Sequence, residues 1–261
     1  MSGPWRLLVE EPLEGAWNMA LDRAIQLEHA EGEAPATLRL YRWRRPTVTL
    51  GRFQDCAGVD WAAVDAFGVD VVRRFTGGRG VLHDDELTYA IVAGERDGVP
   101  RGVSASYRLL CTALAGAYRA LGVDAQLTSR PRGERGSSAC YLHATHADLS
   151  LGAAKLSGSA QVWHAGTCLQ HGSFTRSRDV VREAAVFGLD SQAAEKLATS
   201  TATLAEVVEP VPGPERIASA VVEAVGAVFG TRLEPGEPTL AEQERARGLL
   251  AAVGVSRPPG P

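Results

Sequence analysis

The chain has 261 residues, 45% of them hydrophobic and 22% charged, ordinary values for a globular protein that buries its own core. A formal net charge of −4 does not mark a nucleic-acid binder, and four widely spaced cysteines without a C-x-x-C pair do not make a disulfide scaffold. No apolar run reaches the roughly 18 residues of a membrane span, and the acidic start, "MSGPWRLLVEEPLEGAW", is unlike a signal peptide, so a cytoplasmic protein with reduced thiols is expected.

Residues 5–10 read as a strand and 16–30 as a helix, the latter carrying "NMALD" at 18–22. Strands are predicted in "ATLRLYRW" and "TVTLGRF", followed by a short helix in "DWAAVDAFG" and a strand in "VDVVRRF". "LTYAIVAG" continues the β pattern, and a long helix runs from Val103 to a stop at Gly122, with Cys111 on its apolar side as a core residue. Residues 147–174 read as two or three strands joined by glycine turns. Beyond Phe174 the texture becomes helical, with a proline-rich break at "EPVPGPE", and 253–261 reads as a disordered tail. The order of elements predicts an α/β (α+β) catalytic domain over 1–252, with its core at about 5–178 and a helical C-terminal part at about 179–252.

Three stretches carry chemistry. In "RRFTGGRGVLHDDELTY" (73–89) a Gly77-Gly78-Arg79 turn after a strand lets backbone amides approach a substrate, with Arg73, Arg74, Arg79 and His83 around it. The run lacks the endings of a P-loop or a dinucleotide fingerprint. "KLSGSAQ" (155–161) contains Lys155, notable because Lys155 and Lys196 are the only lysines among 27 basic residues. An ammonium fits a tight pocket or loses its proton where a guanidinium does not. "LQHGS" (169–173) follows with His171 and Gly172. Cys140 in "RGSSACYLHAT" sits among small and polar residues, unusual company for a core thiol. Cys140, His143 and His146, with His164, Cys168 and His171, raise the question of zinc. Their spacings miss the usual paired-ligand forms, and strand alternation sends Cys168 and His171 to opposite faces, so no metal is expected.

In that order, "NMALD", "RRFTGGRGVLHDDELTY", "KLSGSAQ" and "LQHGS" resemble the catalytic domain of the biotin/lipoate protein ligase superfamily, and the Cys140-Tyr141 pair upstream of Lys155 is most similar to the octanoyltransferase LipM family. The resemblance implies mixed, largely antiparallel sheets flanked by helices, and transfer of octanoyl from acyl carrier protein, through a Cys140 thioester, to a lysine of a lipoyl domain such as glycine cleavage protein H. Catalytic roles fall to Cys140 and Lys155. Substrate-binding roles fall to Arg73, Gly77, Gly78, Arg79, His83, Gly158, Ser159, Gln161, His171 and Gly172. Neither ATP nor metal is expected, nor a nucleic-acid or membrane partner. ATP-dependent lipoate ligases, which have a third glycine where Arg79 stands, lipoyl-domain amidotransferases and a noncatalytic acyl-protein-binding module are the alternatives. Acyl carrier proteins are acidic, so the basic clusters "YRWRR" (41–45) and "SRPRGER" (129–135) are candidate docking sites.

Overall fold

The computed structural model describes residues 3–127 and 148–257. The first half runs β1 (Trp5–Val9), α1 (Gly15–Glu31), β2 (Thr37–Tyr41), β3 (Thr47–Leu50), α2 (Trp61–Phe67), β4 (Asp70–Arg73), β5 (Val81–His83), β6 (Glu86–Gly94), α3 (Val103–Ala120) and β7 (Gln126–Leu127). After the undescribed stretch follow β8 (Leu149–Leu151), β9 (Ala154–Ser157), β10 (Ser159–His164) and β11 (Thr167–Thr175). The chain then continues as α4 (Val180–Val186), α5 (Ser191–Ser200), α6 (Leu204–Val207), α7 (Pro214–Phe229), β12 (Leu233–Pro235) and α8 (Leu240–Val253).

A six-stranded sheet has the order β10-β11-β6-β2-β1-β12. Its first four strands are antiparallel, whereas β2, β1 and β12 run parallel. Every residue of β6 is buried, because helices cover both faces. Leu87, Tyr89, Ile91 and Ala93 point into one cluster with α3 and α7, and Ala90 and Val92 point into the other with α1 and α8. Each large aliphatic side chain enclosed this way contributes about 1.5–3 kcal/mol of burial free energy. Two smaller three-stranded sheets, β4-β3-β5 and β7-β8-β9, flank the large one. These are the expected mixed, largely antiparallel sheets with flanking helices.

The C-terminal part does more than add helices. Pro235 ends β12, a short edge strand beside β1, where a residue without an N–H is tolerated. Beyond α8, where the sequence reads as a tail, Gly254 bridges to Val72 and Arg257 pairs with Asp65 at 2.8 Å, so 253–257 follow the body of the protein. Among the described residues no helix is long and apolar enough to cross a membrane.

Candidate active site

The glycine turn is held from behind by two buried relays. Thr76, at its start, has its hydroxyl 2.8 Å from His171 Nε2, and His171 Nδ1 lies 3.0 Å from Asp22 Oδ2. Asp22 also accepts from Arg39 at 2.7 Å and from the Tyr41 hydroxyl at 3.0 Å, while Arg39 donates to Asn18 Oδ1 at 2.8 Å. Asn18 and Asp22 stand four apart on α1, hence on one face, and this is why the two ends of "NMALD" reach the same Arg39 guanidinium. Burial works to raise the Asp22 carboxyl, but Arg39 and then His171 outweigh it and hold it below the usual carboxylate range. Burial keeps His171 below the usual histidine range despite its bond to Asp22. A neutral imidazole therefore donates Nδ1–H to Asp22 and accepts from Thr76 through Nε2.

The second relay reaches the turn through Arg74, which donates to the Thr49 hydroxyl at 3.2 Å. His83 Nδ1 is 2.7 Å from Glu86 Oε1, and its Nε2 is 3.0 Å from the Thr49 hydroxyl. Trp43 stacks on the His83 ring at 4.2 Å between centroids. Glu86 also accepts from Ser173 and Thr88, each at 2.6 Å. Burial opposes its charge, but His83 and these hydroxyls keep the carboxyl below its ordinary range.

Two of the motif's three arginines act on backbone. Arg74, buried, donates to the carbonyls of Thr49 at 3.0 Å, Gly77 at 2.8 Å and Arg79 at 2.9 Å. Arg73 donates to the carbonyls of Gly51 at 2.8 Å and Gln54 at 2.6 Å, so it fixes the neighbouring 51–54 loop. Its guanidinium is thus engaged with carbonyl oxygens at the place where the sequence suggests a substrate contact. Gly78 adopts φ +100°, a left-handed conformation that excludes most side chains.

Lys155 projects from β9 and lies 3.0 Å from Asp148, just before β8. Their side chains are only 3% and 2% exposed. A buried ammonium needs such a counter-charge, and the short β8–β9 hairpin supplies it. Gly158 packs on the pair: a Cβ there would lie 3.1 Å from Lys155 Nζ. Opposite it, a Cβ on Gly172 would lie 2.6 Å from the Gly158 carbonyl oxygen. The β10–β11 register places Ser159 beside Gly172, and the Ser159 hydroxyl is 2.5 Å from that of Tyr89. Gln161 donates to Gln170 at 3.1 Å and accepts from Trp163 at 3.1 Å.

Strand β11 joins the motifs. From successive positions, His171 reaches the glycine turn on the α1 face and Gly172 meets Gly158 and Tyr89 on the other. Asp22, Asn18, Glu86 and Asp148 carry these contacts without having been singled out by the sequence as site residues. For Asp148 the available signal was a carboxylate opening the strand that pairs with the lysine strand. Cys140, His143, His146 and the arginines of 129–135 lie outside the described residues. Among the described residues no group of three or more His, Cys, Asp or Glu side chains could hold a metal ion. Cys111 and Cys168 are buried in the core, and burial raises both thiols, Cys168 to about 12.

The model of the lipoyl protein ligase A/B catalytic domain matches residues 14–226. The octanoyltransferase LipM of Kyrpidia tusciae is 38% identical over 261 residues, which cover 95% of each chain. That of Moorella thermoacetica is 37% identical over 95% of this chain and 94% of its own. A lipoate-protein ligase A bound with ATP superposes with a TM-score of 0.79 at 24% identity, over 96% of this chain and 95% of its own. A bipartite lipoate protein ligase from Thermoplasma acidophilum gives 0.78 at 24%, over 96% and 92%. Identities this low establish the fold, whereas the full-length sequence matches go further, and with its ordered motifs on one strand-and-turn framework the chain belongs to the octanoyltransferase LipM family of acyltransferases.

Proposed function

We propose that this chain transfers octanoyl from octanoyl-acyl carrier protein to a lysine of a lipoyl domain in lipoate biosynthesis, with glycine cleavage protein H as the acceptor. Cys140 attacks the donor thioester carbonyl as a thiolate, and collapse of the tetrahedral intermediate expels the pantetheine thiolate of the carrier. The acceptor amine then attacks the octanoyl-Cys140 thioester. Its nitrogen loses a proton, the amide forms, and the Cys140 sulfur leaves as thiolate. Thioester exchange is nearly isoenergetic and thioester to amide is downhill, so the sequence of steps asks for neither ATP nor metal.

The observation that carries this reading is the buried Lys155–Asp148 pair against Gly158, in a chain matching octanoyltransferases along its length. Lys155 either orients the thioester or activates the thiol or the incoming amine, and the pairing favours a fixed cation that orients the thioester carbonyl and stabilises charge on its oxygen. The turn at Gly77 supplies the opposite wall: a Cβ there would meet nothing within 4 Å, so a substrate can approach its backbone. His83 and His171 act as posts behind that turn, and Ser159, Gln161 and Gly172 line the β10–β11 wall.

The test is intact mass after incubation with octanoyl-acyl carrier protein and no ATP. Wild-type protein gains one octanoyl group and passes it to the H protein, and Cys140→Ala gains none. An adduct on Cys140→Ala would overturn the nucleophile assignment. Acceptor octanoylation only with ATP and free octanoate would identify a ligase.

A further inference from the structure

Many of the surface arginines meet carboxylates. In the 41–45 cluster, Arg42 lies 4.0 Å from Glu11, Arg44 3.1 Å from Glu14 and Arg45 3.7 Å from Asp70. That cluster is locally neutralised and projects little field toward an acidic partner. Beside the glycine turn stand three that do not. Arg23, Arg52 and Arg79 have no carboxylate within ion-pair distance among the described residues.

All three touch or belong to the turn segment. Arg23 leaves α1 next to Asp22, donates to Gln26 at 2.6 Å and lies over the ring of Phe75, 5.7 Å from its centroid, within the turn segment. The backbone N–H of Arg52 donates to the Thr76 carbonyl at 2.9 Å, which ties the 51–54 loop to the start of the same turn. Burial and the charge of Arg52 both hold the Arg23 guanidinium below its ordinary range, so the two cations stand close enough to repel. Arg79 belongs to the turn itself, and its Nη1 is shielded from solvent without a hydrogen-bond partner. Like charges side by side and a shielded N–H without an acceptor are both unfavourable until an anion arrives. Next to them Phe53 is 86% exposed, with the Arg52 guanidinium 5.2 Å from its ring centroid.

We propose that Arg23, Arg52 and Arg79 bind the phosphodiester of the donor's phosphopantetheine arm, and that Phe53 meets the surface of the carrier protein around it. This rests on the transferase function proposed above. The donor fits because its arm carries a phosphodiester between thioester and protein, whereas an acceptor lysine has no anion on its side chain. Guanidinium groups recognise phosphate oxygens through paired N–H donors.

The experiment compares octanoyl-phosphopantetheine, octanoyl-pantetheine and octanoyl-acyl carrier protein as donors. Wild-type enzyme is expected to favour the phosphorylated small donor over the unphosphorylated one by about tenfold in kcat/KM. In Arg23→Gln/Arg52→Gln that ratio falls toward one. For the carrier-borne donor KM rises about tenfold with kcat little changed, and its salt dependence weakens. Arg52→Gln alone, at an exposed side chain, gives a smaller change in the same direction if the double variant does not fold. A wild type indifferent to the phosphate, variants that keep the preference and the carrier KM, or the same loss in Arg42→Gln/Arg44→Gln would each overturn the site. So would a rise confined to the KM of the lipoyl acceptor, which would make the face the acceptor's. Turnover of octanoyl-acyl carrier protein with none of these changes rejects this site and leaves the transferase reading intact, whereas no turnover without ATP rejects that reading itself.

Discussion

Lys155 has little room to be any other cation. Its Nζ is 3.0 Å from Asp148 and would be 3.1 Å from a Cβ on Gly158, so a planar guanidinium on a longer stem would press on both residues. Lys155→Arg keeps the charge but moves it, and we expect kcat for octanoyl transfer to fall about a hundredfold or more, as when one oxyanion donor is lost. Rapid-quench measurement of octanoyl-enzyme formation checks this, and near-wild-type rates would remove Lys155 from its proposed place at the carbonyl. Two glycines give an opposed pair of expectations. Gly172→Ala forces a methyl group to 2.6 Å from the Gly158 carbonyl, a backbone atom that cannot swing aside, and should cost about 1–3 kcal/mol in urea unfolding. Gly77→Ala has open space and should change stability by about 0.5 kcal/mol or less, yet lower turnover by filling the approach to the turn.

At the level of elements, the turn is a passive part whose shape comes from α1, β11 and the arginine that follows β4. Asp22 orients His171, which bonds Thr76, while Arg74 gathers the carbonyls of the turn. This arrangement predicts a pH dependence. His171 has a lowered pKa in the folded state, so below its ordinary value of 6.5 the unfolded chain takes up a proton that the folded chain refuses. Its contribution is complete above that pH and is lost as pH falls toward the folded value. Asp22, also lowered, adds a second loss below 3.8. Thermal unfolding from pH 7.5 down to 5 should show a declining Tm in the wild type and a flatter profile in His171→Gln, and parallel profiles would count against the neutral-imidazole assignment. Three of the motifs stood out because each holds glycines, a histidine or a rare lysine that secondary structure alone does not require. Their partners were harder to see. Asp148 and Glu86 look like surface acids until the fold buries them, and β5, β12 and α6, at three or four residues each, are too short for any hydrophobic period to show.

At the level of the whole molecule, the C-terminal segment supports the site from a distance. Helix α8 lies on α1, where Ala246 and Val253 join Ala20, Leu21, Ala24 and Ile25 in one buried cluster. Glu242, fully buried at the start of α8, pairs with Arg6 of β1 at 2.5 Å, and its other oxygen accepts from the Thr239 backbone in a capping box. Arg6 in turn donates to Thr37 on β2, so one carboxylate ties α8 to two central strands. Removing it strands a buried guanidinium, and breaking a buried pair from one side costs about 3–5 kcal/mol. Glu242→Ala should therefore lower the unfolding free energy by that amount, read as a lower urea midpoint at unchanged m-value. Because α1 carries Asn18 and Asp22, any loosening of α8 reaches the His171–Thr76 contact without touching the site directly. A chain ending at Pro238 should then lose octanoyl transfer while still forming its strands, seen as retained far-UV circular dichroism with a broadened unfolding transition. Full activity in that truncated chain would show that the sheet alone holds α1 in place.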